Sequence, residues 1–111
     1  MAGKFEIYKD RAGDFRFRLK ASNGQTILSS EGYRSKSSAE NGIRSVMENG
    51  GLKSRYEKSS TPAGLYRFSL TAKNNQVIGQ SQNYKSTASR DSGIEAVGRA
   101  AKGAPTVDLT A

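Results

Sequence analysis

The sequence predicts an α+β fold in which a unit of three strands and one helix occurs twice, forming one antiparallel sheet with both helices packed on one face. The first observation is an internal repeat, because residues recur at an offset of 51 positions and 15 of 37 aligned positions between residues 13 and 49 are identical. The second is apolar alternation typical of strands, and the third is a helical periodicity near the end of each copy. The repeats are predicted at about 4–50 and 55–103, within a single domain 1–111.

Three strands are predicted at the start of each repeat. Phe5 and Ile7 alternate with polar neighbours in the first strand. The second strand is clearer, because its aromatic and aliphatic residues share one face while its cations share the other. Asn23-Gly24 then predicts a two-residue type I′ hairpin turn, which leads into a third strand at about 25–30. The inward residues of the second strands are Phe15, Phe17, Leu19 and Ala21 in the first repeat, and Tyr66, Phe68, Leu70 and Ala72 in the second.

A helix follows the strands in each repeat. Ser35 and Ser86 are suited to cap it, since a serine hydroxyl accepts an otherwise unpaired backbone N–H of the first turn. Gly42 and Gly93 occupy matching positions inside the helices, where glycine disfavours helix by about 1 kcal/mol relative to alanine. Their recurrence predicts a close approach of each helix to the sheet or to the other helix. The face predicted to be buried in the first helix consists of Ala39, Ile43, Val46 and Met47.

The segments after the two helices are candidates for additional strands. Residues 55–59 follow the first helix and residues 106–109 follow the second. Each can tie the two repeats together by joining the sheet. The remainder of residues 104–111 is expected to form a short C-terminal tail.

The composition argues against most catalytic and metal chemistry. The chain has 111 residues and contains neither cysteine nor histidine. Disulfides, a usual zinc site and histidine-dependent nucleophilic catalysis are therefore excluded or strongly disfavoured, and we expect no enzyme, no metal and no cofactor. No stretch approaches the roughly 18 apolar residues of a membrane span. The expected location is the cytoplasm.

The charge pattern supplies a candidate interaction surface. The formal net charge is +8, and cations occupy every second position of the second strand. Such a basic sheet face can bind nucleic acid or another polyanion, although base-binding sheets usually add stacked aromatic residues. The alternative is a solvated face whose cations pair with Glu6 and Glu57 on neighbouring strands. The candidate residues are Arg16, Arg18, Lys20 and Arg67, together with the tyrosines Tyr8, Tyr33 and Tyr84.

The run from Phe15 to Ala21, together with Asn23-Gly24, Ile27, Tyr33 and residues 35–43, resembles the YegP-like family of small, uncharacterised bacterial proteins. The resemblance is to the duplicated branch of that family and covers nearly the whole chain. It implies β-β-β-α-β units that share one sheet and exchange their C-terminal strands. It also implies that single-copy relatives reach this architecture by dimerising, so that a duplicated chain can be a monomer, and we expect a monomer with internal pseudo-two-fold symmetry. The resemblance transfers no activity, cofactor or catalytic residue.

Two classes of function remain open at this stage. The favoured interpretation is a non-catalytic interaction module of unknown ligand, which meets a protein partner at a sheet edge or on the uncovered sheet face. The alternative is nucleic-acid or polyanion binding through the basic sheet face.

Overall fold

The computed structural model describes residues 3–110, which form seven strands, two α-helices and one short 3₁₀ helix. The first repeat supplies three strands and a helix: β1 (Lys4–Lys9), β2 (Phe15–Lys20), β3 (Thr26–Ser29) and α1 (Lys36–Asn49). After the 3₁₀ helix Lys53–Arg55, the second repeat supplies β4 (Tyr56–Ser60), β5 (Tyr66–Thr71), β6 (Val77–Gln80) and α2 (Thr87–Ala101). The last strand is β7 (Thr106–Asp108).

All seven strands belong to one sheet, in the order β4-β5-β6-β3-β2-β1-β7. The predicted α+β fold built from a duplicated unit is confirmed. The sheet is mixed rather than wholly antiparallel, because β7 runs parallel to β1. The two repeats meet at the centre, where the register of β3 and β6 contains the single pair Ser29 and Gln80.

One hydrophobic core lies between the sheet and the two helices. The aromatic side chains Phe5, Phe17 and Phe68 are all fully buried, and residues from α1 and α2 pack into the same cluster. Both helices therefore cover one face of the sheet and leave its other face open. The glycine prediction is also confirmed: a Cβ at Gly42 would lie 2.7 Å from the Phe17 ring and 2.8 Å from the Tyr33 hydroxyl, so α1 approaches the sheet closely.

The hairpin turns differ from the predicted type I′. The Gly24 N–H donates to the Ala21 carbonyl, and the Ala21 N–H donates to the Gln25 carbonyl. Gly24 has a φ of 85°, whereas Asn23 is not among the residues with positive φ. This is the three-residue loop in which a type I turn precedes one left-handed residue, so a single left-handed position suffices. Asn75, with a φ of 67°, takes that position in the second repeat.

The predicted helix caps are confirmed, and one predicted core residue is not. The Ser35 hydroxyl accepts from the Ser38 N–H at 3.2 Å, and Ser86 caps α2 in the same way. Met47, which was placed on the buried face, is 39% exposed. Its counterpart in α2 is Gly98, where a Cβ would lie 3.2 Å from the Gly50 carbonyl oxygen. The end of α1 therefore lies directly against α2 at this point.

Strand β7 ties the second repeat to the first. The Phe5 N–H donates to the Pro105 carbonyl and the Leu109 N–H donates to the Ile7 carbonyl, each at 2.8 Å. The carboxylate of Asp108 lies 2.8 Å from the Lys36 ammonium at the start of α1. The other predicted tie is not formed, because β4 pairs with β5 of its own repeat. One strand is thus exchanged between the repeats, where the family resemblance implied two.

The ion pair of Asp108 makes the docking of β7 dependent on pH. Hydrogen bonds from Lys36 and then from Thr110 lower the pKa of Asp108 from 3.8 to about 2. A carboxyl group with a lowered pKa stabilises the folded state fully above its unfolded pKa, and this contribution is lost as the pH falls toward the folded pKa. We therefore expect the wild type to be more stable than Asp108→Asn above about pH 4.

Thermal melts of both proteins between pH 1.5 and 7 measure this difference. The comparison with Asp108→Asn removes the effect of the other carboxyl groups that titrate in the same range. A difference in melting temperature that stays constant down to pH 2 would contradict the assignment.

Candidate functional site: the open face and the β4 edge

The open face of the sheet carries five of the seven candidate residues. Each lies on a strand at a position that alternates with a buried core residue, so its side chain leaves the sheet on the side away from the helices. Tyr33 and Tyr84 lie on the helix side instead, which divides the predicted surface into two unconnected parts. The five residues on the open face are Tyr8, Arg16, Arg18, Lys20 and Arg67.

Glu6 is the centre of the basic part of this face. Its carboxylate lies 2.7 Å from Arg18, 3.3 Å from Lys20 and 3.6 Å from Lys4, and its side chain is only 8% exposed. The hydrogen bond from Arg18 is the main reason that the pKa of Glu6 lies below its usual range, although burial opposes this shift. Three positive charges therefore surround one negative charge, which leaves a surplus of two on this part of the face.

Arg16 is fixed by two acceptors at the end of β2. Its guanidinium lies 2.7 Å from the Asp10 carboxylate and donates to the Ser30 carbonyl at 3.2 Å. The Asp10 carboxylate also accepts the backbone N–H groups of Ala12 and Asp14, so it shapes the turn that precedes β2. An anion that binds Arg16 would therefore have to compete with the Asp10 carboxylate and the Ser30 carbonyl.

Tyr8 does not present a free aromatic surface. The Arg18 guanidinium lies over its ring, 4.5 Å from the ring centre, which is a cation–π geometry. Single-stranded nucleic acid is usually held by aromatic rings on which the bases stack. Since Arg18 covers this ring, the open face lacks an available stacking platform at Tyr8.

The second repeat does not reproduce the basic cluster. Arg18 is replaced by Ser69 and Lys20 by Thr71 at the equivalent positions, and Glu57 is exposed. Arg67 is exposed, and no ion pair joins it to an acidic residue within residues 3–110. The concentration of positive charge is therefore confined to the half of the open face that the first repeat forms.

The tyrosines before the helices pack against the core. The Tyr33 ring stacks on Phe17, and the Tyr84 ring stacks on Phe68, each with ring centres 6.2 Å apart. Burial raises the pKa of Tyr33 above its usual value. Both tyrosines are half-buried. Their recurrence thus has a structural explanation, and they are separated from the arginines by the sheet.

A cavity of about 430 Å³ lies at the seam between β3 and β6. It forms where the two repeats are joined by a single residue pair in the sheet register. Among the residues that line it are Arg16, Ser30, Glu31, Gln80 and Gln82. Within residues 3–110, no three acidic residues come together as a metal ligand set would require.

The edge formed by β4 was not recognised from the sequence. The Thr61 N–H donates to the Leu65 carbonyl, which fixes the alternation of hydrogen bonds between β4 and β5. Glu57 and Ser59 exchange bonds with β5, whereas Tyr56, Lys58 and Ser60 direct their backbone groups away from it. The Tyr56 N–H donates to the Lys53 carbonyl. For the carbonyl of Tyr56 and both backbone groups of Lys58, residues 3–110 supply no partner.

The strand β1, which is equivalent to β4, has its outer edge covered. Its outward groups belong to Phe5 and Ile7, and β7 pairs with them. The two ends of the sheet are therefore unlike, although the repeats that form them are related. None of the described helices, taken over residues 3–110, has the length and apolar character needed to cross a lipid bilayer.

The fold defines a small duplicated β-β-β-α protein with one shared sheet. A family described as "Domain of unknown function (DUF1508)" matches the chain twice, at residues 10–57 and 62–108. A UPF0339 protein from Stutzerimonas stutzeri is 53% identical over 109 residues, which cover 98% of each chain. The chain belongs to the YegP/UPF0339 family.

Two solved structures of this family have the same fold. The solution structure of the Escherichia coli protein of unknown function YegP has a TM-score of 0.93 and 47% identity, covering 98% of this chain and 94% of that one. The solution structure of a UPF0339 protein from Shewanella oneidensis has a TM-score of 0.92 and 45% identity, covering 98% and 92%.

Proposed function

We propose that the protein is a non-catalytic interaction module, located in the cytoplasm, which recruits a protein partner at the edge of the sheet formed by β4. The observation that carries the proposal is the row of outward backbone groups on Tyr56 and Lys58. An exposed strand edge can bind an extended segment of another protein by adding it to the sheet. Backbone hydrogen bonds then supply affinity, and side-chain pockets beside the strand supply selectivity.

The residues of β4 support this role. From Glu57 to Ser60 every residue is exposed, so a partner reaches the strand without displacing a core side chain. Tyr56 anchors the beginning of the strand, because its hydroxyl donates to the Gly50 carbonyl at 2.6 Å and its ring packs edge-on against Phe68. The edge is thereby held in an extended conformation before any partner arrives, which lowers the ordering cost of binding.

Site-specific photo-crosslinking in cells tests the proposal. A benzophenone amino acid replaces Ser60 at the edge or, as a matched control, Ser69 on the open face. We expect a discrete adduct from position 60 that is absent from position 69 and is lost when Lys58→Pro removes an outward N–H. Equal adducts from the two positions, or an adduct unaffected by Lys58→Pro, would contradict recruitment at the edge.

Polyanion binding through the open face is a second candidate function. It is favoured by the surplus of positive charge around Glu6, where Lys4, Arg18 and Lys20 face one carboxylate. The half-exposed Arg18 and Lys20 are within reach of phosphate groups. Their ion pairs with Glu6 oppose binding, because a phosphate must replace the carboxylate as their partner.

Anisotropy titrations with a fluorescent single-stranded oligonucleotide measure this binding. We expect the logarithm of affinity to fall with the logarithm of salt, by about 0.7 per neutralised phosphate. Glu6→Gln frees Arg18 and Lys20 and should strengthen binding, whereas the pair Arg16→Ala, Arg18→Ala should weaken it about tenfold. A Glu6→Gln protein that binds no better than the wild type, with an unchanged melting temperature, would remove this candidate.

A further inference from the structure

The geometry points to a vacant strand position beside β4, and we propose that it binds an extended segment of a partner protein, running parallel to β4, with an apolar side chain inserted between β4 and α2. This inference rests on the proposed function and specifies the partner's direction, register and side-chain chemistry. The two ends of the sheet differ, because β7 covers the edge of β1 and no strand within residues 3–110 covers the edge of β4.

Strand β7 shows how such a segment docks on the equivalent edge. It pairs in parallel with β1, so that Thr106 lies opposite Phe5 and Asp108 lies opposite Ile7. Applying the offset of 51 residues, Phe5 corresponds to Tyr56 and Ile7 to Lys58. The carbonyl of Tyr56 and both backbone groups of Lys58 therefore stand where those of Phe5 and Ile7 hold β7 on β1. The Tyr56 N–H differs from its counterpart, the Phe5 N–H, because it already donates to the Lys53 carbonyl.

The segment of the first repeat that corresponds to β7 already forms another part of the fold. By the same offset, residues 106–108 correspond to 55–57, which form the end of the 3₁₀ helix and the beginning of β4. A strand cannot pair with its own outer edge. The first repeat consequently has no strand of its own to place beside β4.

A gap lies between β4 and α2, beside the vacant strand position, and the matching region of the first repeat keeps a gap of about 220 Å³ with β7 docked there. The gap beside β4 has a volume of about 280 Å³, and Tyr56 and Ile94 form its apolar part. In the first repeat, Thr106 of β7 lines the matching region together with Ile43, which is the counterpart of Ile94. A segment docked on β4 would place one side chain over Ile94 as Thr106 lies over Ile43.

The chemistry of the gap defines that side chain. Its polar rim consists of Lys53, Lys58, Asp91 and Glu95, whose charges balance, and Lys58 lies 3.1 Å from Asp91. A rim whose charges balance, with Lys58 and Asp91 paired to each other, gives no preference for a charged residue at the centre. The apolar part favours an aliphatic side chain, since burying carbon in such a gap is favourable in proportion to its area.

A synthetic peptide provides the probe. It has the sequence of residues 104–110 of this chain with Thr106→Ile, so that the strand chemistry of β7 is kept and the inserted side chain is larger. Binding to the intact 111-residue protein is followed by the amide shifts of isotope-labelled protein at peptide concentrations up to about 1 mM. We expect shifts at Lys58, Ser60 and Ile94, with smaller changes at Phe5 and Ile7.

Matched peptides and variants test each part of the inference. A Thr106→Ala peptide should bind at least about tenfold more weakly than the Thr106→Ile peptide, and about fiftyfold if the three lost carbons are fully buried. Lys58→Pro should bind at least about tenfold more weakly than Lys58→Ala, because both variants lose the lysine side chain and only the proline variant also loses the outward N–H. Proline is tolerated at such edge positions, and a thermal melt checks that the variant is folded.

A spin label at the peptide N-terminus reports the direction of the bound peptide relative to β4, and this measurement needs no protein variant. In the parallel arrangement it broadens signals near Tyr56 and spares those near Ser60. The reverse pattern would overturn the parallel register while leaving recruitment at the β4 edge intact. Shifts confined to β1, or a wild-type dimer that Lys58→Pro abolishes in sedimentation, would overturn the inference by showing displacement of β7 or docking of a second copy.

Discussion

Replacing Gly79 by alanine is expected to lower the free energy of unfolding by about 1–3 kcal/mol, through overpacking at the seam between the repeats. A Cβ at this position would lie 2.7 Å from two carbon atoms of Leu28, which is itself 1% exposed. By the repeat offset, Gly79 is the counterpart of Leu28. At the seam, a large side chain of one repeat therefore packs against a residue of the other repeat that has no side chain.

The converse change, Leu28→Ala, should cost about 2–5 kcal/mol because it leaves a cavity. The double variant should lose less than the sum of the two, since the new methyl group at residue 79 enters the space that Leu28 leaves. Chemical denaturation of the four proteins measures this coupling. Gly51→Ala is the control, because a Cβ there meets no atom within 4 Å. Additive losses would show that Leu28 and Gly79 do not pack as described.

Removing residues 104–111 is expected to destabilise the protein by roughly 2–4 kcal/mol, given about 1 kcal/mol for each lost hydrogen bond. The deletion removes the bonds of Pro105 and Leu109 to β1, and it also removes the buried Ala104. It leaves Phe5 and Ile7 with unpaired outward groups, which favours association between molecules.

Denaturation curves and sedimentation of the shortened protein measure both effects. Leu109→Ala keeps the backbone of β7 and loses only a half-exposed side chain, so it should change stability by less than about 0.5 kcal/mol. A peptide of residues 104–110 should restore the stability of the shortened protein. Full stability without that peptide would mean that β7 contributes little to the fold.

The sequence predicted the layout of each repeat because the relevant signals are local. Alternation in the second strand fixed the inward Phe17 and Phe68, and the serine caps fixed the helix starts. The turn type was wrong because Asn-Gly suits more than one hairpin loop, and the register of the flanking strands decides between them. Met47 was misplaced because burial at the end of α1 depends on how α2 approaches it, which helical periodicity does not show.

The candidate site was less predictable because it depends on contacts between distant segments. The alternation of Arg16, Arg18 and Lys20 correctly placed them on one face. The burial of Glu6 beneath its cations depends on the pairing of β1 with β2, which the sequence does not show. The separation of Tyr33 from the arginines depends on the path of the chain after β3. The repeat bounds 4–50 and 55–103 remain a prediction, since β7 and β4 connect the units across them.

The dual position of β4, as the segment after α1 and as the first strand of the second repeat, has a consequence for any tandem fusion of this unit. Each of two fused units has an outer edge that can pair with a further strand. The segment after the first helix cannot fill such an edge, because it already forms the first strand of the second unit. A single strand is left for pairing, at the far end of the chain. Within residues 3–110, the edge of β4 is thus left unfilled by connectivity, and substitutions can alter what fits there without supplying a strand.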